Sequence, residues 1–206
     1  KLTSPIGSAD DFASGVAIQS DGKIVVAGYS HNGSNYDFAL ARYNANGSLD
    51  TSFDGDGKLT TAFFQAPAQF AAVALQPDGK LVAVGWTTFR AQTYFAVARF
   101  NSDGSLDPSF DGDGKLVIPY GTGTDYGYAI AVQNDGAIVI TGYTVNPGSD
   151  TQMLVLRLLP DALVPEITLA DANTLPATAL TDGQTTVLDY GAVPSGSAVT
   201  RSFQIT

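Results

Sequence analysis

The chain has 206 residues and a net charge of −10, with 44% hydrophobic and 15% charged residues. That balance repels phosphate backbones and anionic lipid headgroups, so no nucleic-acid partner and no membrane insertion are expected, and no apolar run approaches the roughly 18 residues of a membrane-spanning helix. Cys 0 excludes a disulfide framework and a cysteine-based zinc site, while Gly 22 and Pro 10 supply turns at a density suited to short strands.

Lys1 opens the sequence without a signal-peptide pattern, so any targeting segment is expected to lie upstream or to have been removed. Downstream, a strand over 15–19 is followed by Asp21-Gly22 and a second strand over 23–29. An Asp-Gly pair between apolar runs predicts a hairpin with a type I′ turn. A variable polar loop over 30–36 leads to a third strand over 37–44. The Asn46-Gly47 turn and a glycine-rich loop then lead to a fourth strand over 58–63.

The unit repeats. Residues 16–28 recur at 73–85 and again at 130–142, and the Asp-Gly pairs begin at 21, 78 and 135, a period of 57. Small and β-branched residues in nearly continuous apolar runs predict strands covered on both faces. Four such strands per unit predict an all-β fold of propeller-type blades. The repeat domain spans 1–163, with units at about 15–71, 72–128 and 129–163. Lys1-Leu2-Thr3-Ser4 aligns with 58–61 and 115–118, which makes 1–6 an orphan fourth strand. The third unit lacks the block that ends units one and two, leaving it three strands. Propellers close at about four to eight blades. Two explanations fit: further blades belong to the same polypeptide, or the 1–6 strand of another chain completes the third blade and covers its edge.

The phrases SDGKIVVAGYS and DFALARYNANGSLDTSFDGDGKLTT, with their second copies, resemble the delta-60 repeat family, a bacterial propeller-like class, over about residues 1–160. The resemblance implies a propeller-like module of large secreted or surface proteins and brings no catalytic residues with it. Residues 164–206 have no copy upstream and predict strands over 166–169, 185–190 and 198–206. Their DYGAVPSGSAVTRSFQIT resembles the opening of an Ig-like repeat found beside surface-anchoring domains. An Ig-like sandwich takes about 100 residues, so 164–206 form only part of one.

His31 falls in a polar loop without a repeat-wide counterpart. Asp54 and Asp56, copied as Asp111 and Asp113, place alternating carboxylates on a glycine-rich loop, as calcium loops begin. Asp50 and Asp107 could add one ligand, but Lys58 and Lys115 stand where a closing acid is needed, so structural turn and calcium site both remain open; no other cofactor is indicated. Arg42, Arg99 and Arg157 interrupt apolar strands, and burial requires a carboxylate for each: Asp21, Asp78 and Asp135, or Asp50 and Asp107. Glu166 is the only glutamate, and every regularly placed Asp obeys the repeat, which disfavours a glycosidase pair.

The loops that differ between units are 30–36, 87–94 and 144–152. Trp86, Phe89, Arg90 and Tyr94 make the second the most contact-capable. The expected function is a non-catalytic structural or adhesive module of a secreted or cell-surface protein. Its partners are other chains, by self-association through strand pairing, or the rest of a longer polypeptide. The alternative is a lectin-like propeller that takes a glycan on its variable loops.

Overall fold

The computed structural model describes residues 3–64, 66–120, 123–145, 148 and 150–159. The Ig-like segment and its three expected strands lie outside the described residues. Those described form eleven strands: β1 (Asp11–Ile18), β2 (Ile24–His31), β3 (Tyr36–Tyr43), β4 (Lys58–Thr61), β5 (Ala68–Leu75), β6 (Leu81–Phe89), β7 (Gln92–Phe100), β8 (Lys115–Ile118), β9 (Thr124–Val132), β10 (Ile138–Val145) and β11 (Thr151–Leu158). They pair antiparallel in chain order, as sheets β1–β4, β5–β8 and β9–β11. These are two four-stranded blades and one of three strands, hereafter blades 1, 2 and 3.

Alternation along the strands of blade 2 sorts its side chains between two cores. Leu81, Ala83, Ala96, Ala98 and Phe100 join Val25, Ala27, Phe38 and Leu40 of blade 1. Val82, Val84, Phe95 and Val97 join Ile138, Ile140, Leu154 and Leu156 of blade 3. A strand buried on both faces has no room for polar alternation, which explains the unbroken apolar runs. The innermost strands converge: Gly15 of β1 lies so close to β5 that a Cβ there would sit 3.0 Å from the Ala72 Cα.

Each inner strand carries a bulge at the same place, where Ser14, Ala71 and Tyr128 have no partner opposite. The bulge turns the preceding carbonyl (Phe12, Gln69 or Tyr126) onto the α-carbon of Gly28, Gly85 or Gly142 on the second strand. Only a residue without Cβ fits there, so glycine recurs with the period of the repeat.

Three sequence expectations need correction. The Asp-Gly turns are not type I′: Gly22, Gly79 and Gly136 have positive φ, but the aspartates before them do not. Each glycine N–H bonds the glutamine three residues back (Gly79 N to Gln76 O, 2.9 Å), giving a type I turn closed by a left-handed glycine. The type I′ turn lies instead in the supposed loop 87–94. There β6 and β7 run on to a two-residue turn of Arg90 (φ 50) and Ala91 (φ 65). Finally, residues 3–6 are not a strand. A fourth strand needs a third beside it, and among the described residues none is there. Ile6 and Gly7 N–H groups bond the Asp11 carboxylate instead, at 2.8 and 3.1 Å.

Candidate functional site

The repeated polar residues gather around one arginine in each blade, and in blade 1 this cluster reaches the joint with blade 2. Arg42, on β3, donates from Nε to Asp50 Oδ2 at 2.7 Å and from Nη2 to Ser52 Oγ at 3.1 Å, its guanidinium 4.6 Å over the Phe53 ring. Its Nη1 reaches across to the Ser102 carbonyl of blade 2, and Asp54 N donates to Asp103 O beside it at 2.8 Å. Lys23, from the first hairpin, binds Asp50 at 3.1 Å. The second blade repeats the set: Arg99 to Asp107 at 2.7 Å, Lys80 to Asp107 at 2.9 Å, and Arg99 4.8 Å over Phe110.

Hydrogen bonds from Ser52, then Lys23, and the charge of Arg42 hold the Asp50 carboxyl far below its ordinary range. Burial works to raise Asp107, but Ser109, Lys80 and Arg99 outweigh it and lower it as far. Arg157 takes the other candidate partner, Asp135, at 2.8 Å, and also Gln133, at 2.7 Å. The repeat explains the change of partner, because the block that supplies Asp50 and Asp107 has no copy in the third unit.

The proposed calcium ligands occupy the same loops. Asp54 and Asp111 adopt left-handed backbone, with φ of 50 and 51, which short polar side chains tolerate. Asp56 and Asp113 accept from the N–H groups of Lys58 and Lys115, at 2.9 and 2.8 Å, closing Asx turns. Among the described residues no three acidic or histidine side chains gather as a metal site. Because Asp56 and Asp113 are engaged in these turns and Lys58 and Lys115 follow where a closing acid is needed, calcium titration by calorimetry is expected to give no binding heat and an unchanged melting temperature; a stoichiometric heat would reverse that. His31 ends β2, where its Nδ1 accepts from Gly33 N at 3.1 Å and its ring meets Tyr36.

The four predicted ligand contacts do not share one surface. Trp86 points with Val82 and Val84 toward blade 3, while Phe89 and Tyr94 project from the opposite face of blade 2. Phe89 packs on Phe64 (5.0 Å between ring centres) with Arg90 5.1 Å from its own centre, and the Tyr94 hydroxyl donates to Gln92 Oε1 at 2.8 Å.

Trp86 instead joins three tyrosines that sequence reasoning missed. Its ring lies 5.4 Å from both Tyr126 and Tyr128, and Tyr143 lies 5.1 Å from Tyr126 and 5.6 Å from Tyr128. Tyr128 is the bulged residue, extruded to 46% exposure. Burial and its hydrogen-bonded neighbour Tyr143, with Tyr126 adding less, push its phenol up to about 12. A signal for this cluster existed: Tyr29, Trp86 and Tyr143 follow the three bulge glycines at the period of 57. Blade 1 has a smaller version, Phe12 on Tyr29 at 4.8 Å with Tyr36 alongside.

The geometry selects among aromatic ligands. A cage for a quaternary ammonium keeps its rings apart so that a cation fits within about 6 Å of several ring faces. Here the rings fill that space with one another. What they offer is a partly exposed cluster of ring faces, with Tyr128 the most exposed.

Residues 19–53 and 76–110 match the family described as a domain of unknown function (DUF5122) beta-propeller. The two matches are in phase with the 57-residue period, and each runs from the Asp-Gly turn to the phenylalanine that stacks on the joint arginine. The chain is an all-β protein of propeller-type repeats, and it is similar to that family over these two stretches. No curated protein matches it.

Proposed function

We propose that the chain is a non-catalytic adhesive module of a larger secreted or cell-surface protein, and that the Trp86–Tyr126–Tyr128–Tyr143 platform takes a neutral glycan. The observation that carries the reading is the clustering of four rings around the exposed edge of β9, built at a bulge that extrudes Tyr128. The net charge of −10 disfavours acidic glycans. The recurring carboxylates support a non-catalytic role because they are engaged in turns and arginine pairs.

A glycan array tests this directly. Neutral oligosaccharides are expected to bind, and Trp86→Ala is expected to weaken them about tenfold or more, the scale of losing one aromatic anchor. Phe89→Ala, on the other face of the blade, should leave binding unchanged. An array without neutral ligands, or equal loss from both variants, overturns the assignment.

A further inference from the structure

We propose that blade 3 of one molecule stacks on blade 1 of a second copy, repeating between molecules the joint that unites the blades within one. The argument is positional. Blade 2 completely buries Val82, Val84, Phe95 and Val97 against blade 3. By register, their counterparts in blade 3 are Val139, Thr141, Met153 and Val155. Among the described residues nothing covers that face, and Met153, standing where Phe95 is buried, is 83% exposed.

The opposite face of blade 2 buries Val73, with Leu75 packed alongside, against blade 1. Their counterparts on the uncovered face of blade 1 are Val16 and Ile18, which are 63% and 69% exposed. Blade 3 thus presents the kind of face that covers a successor, and blade 1 the kind that a predecessor covers. The two faces are complementary rather than alike, which defines a head-to-tail contact.

Aromatic and polar groups keep the same register. Trp86 of blade 2 meets Tyr126 of blade 3; across the new junction the corresponding pair is Tyr143 and Phe12, and Phe12 is 46% exposed. Arg42 bonds the Ser102 carbonyl of the next blade; across the new junction Arg157 stands in its place and Ala45, exposed, in place of Ser102, whereas the Asp54 contact has no counterpart in blade 3. A second copy is the fitting occupant because each molecule carries both faces. Two copies carry six blades, within the roughly four to eight at which propellers close.

Sedimentation equilibrium of the full chain at physiological ionic strength tests the stacking. A dimer, or a longer stack, is expected. Val16→Glu with Ile18→Glu should give monomers, as should Met153→Glu with Val155→Glu. Mixing the two variants should restore a heterodimer, since each keeps the face the other lost. A monomeric wild-type chain overturns the proposal, whether the faces belong to other blades of a longer polypeptide or to residues 160–206. Either double variant associating like the wild type overturns it too, because a head-to-tail joint needs both faces. Should the glutamates unfold the chain, Val16→Cys with Met153→Cys in this cysteine-free sequence gives a second readout. Bismaleimide should then link molecules only when both cysteines are present, and no link between molecules overturns the proposal. Tyr143 belongs to both the platform and the junction, so glycan binding is also measured on the monomeric Val16→Glu with Ile18→Glu variant, which leaves that ring uncovered and lets the two proposals fail separately.

Discussion

Gly85→Ala is expected to lower stability by about 4 kcal/mol, beyond the 1–3 kcal/mol typical of an overpacked core. The added Cβ would fall on the Gln69 carbonyl oxygen, 2.8 Å from the Gln69 carbon and 2.9 Å from the Phe70 Cα. All three are backbone atoms of the bulge, so no side chain can swing aside. Relief requires flattening the bulge, which shifts the register of β5 by one residue and turns Phe70 out of the core between blades 1 and 2. Gly79→Ala is the control. Gly79 also resists a side chain, with φ of +85, but nothing lies within 4 Å of the added carbon, so only left-handed strain of about 1–2 kcal/mol applies. Denaturant melts of the two variants should therefore differ by about 2–3 kcal/mol, a large share of the roughly 5–15 kcal/mol that holds a domain folded. Equal losses would mean that the bulge yields and that the glycine serves only its own backbone.

The strands were legible because both signals that define them are local. Unbroken apolar runs mark sheets covered on two sides, and glycine pairs mark the connections, so two four-stranded blades and one of three followed from the period alone. The turn types were not legible. Asp-Gly suits a type I′ turn by composition, but the pairing of Ile18 with Ile24 leaves five residues between the strands, and that length selects a type I turn with a left-handed glycine. Arg90-Ala91 lacks a glycine and still forms the type I′ turn, because the pairing of β6 with β7 up to Phe89 and Gln92 leaves only two residues to cross.

The site was half legible for a related reason. Trp86 stood out as a large residue in a variable stretch, but its neighbours lie 40 or more residues away and converge only through blade stacking. Strand parity already separates Trp86 from Phe89, three residues on, although that separation holds only once the stretch is known to be strand. The arginine partners were legible as a choice between two sets of aspartates. The structure uses both, according to whether the unit contains its third block.

Arg99→Met should cost about 3 kcal/mol, the lower end for breaking a buried ion pair, and lower the melting temperature by roughly 6–12 °C. The substitution keeps much of the apolar stem but removes the bond to Asp107 and the cation over Phe110, leaving Asp107 with Lys80 alone among the charged partners. Arg157→Met is the contrast: the Arg157 side chain is 31% exposed and that of its Asp135 partner 58%, and such surface pairs contribute about 1 kcal/mol or less. The pH dependence has a definite sign. Asp107 and Asp50 are held well below the ordinary 3.8 in the folded chain, so near pH 3–4 the unfolded chain binds protons that the folded chain refuses, and stability rises with pH there. Their contribution is complete above the unfolded value and drains away as pH falls below it toward the depressed folded values. Asp107→Asn should consequently flatten the decline in melting temperature between about pH 5 and pH 2, and Asp50→Asn should flatten it further. Arg99→Met should flatten it only slightly, because Ser109 and Lys80 lower Asp107 more than Arg99 does. A melting temperature within about 2 °C of wild type in Arg99→Met would show that the apolar contacts of blade 2 suffice and that this buried pair is dispensable to stability.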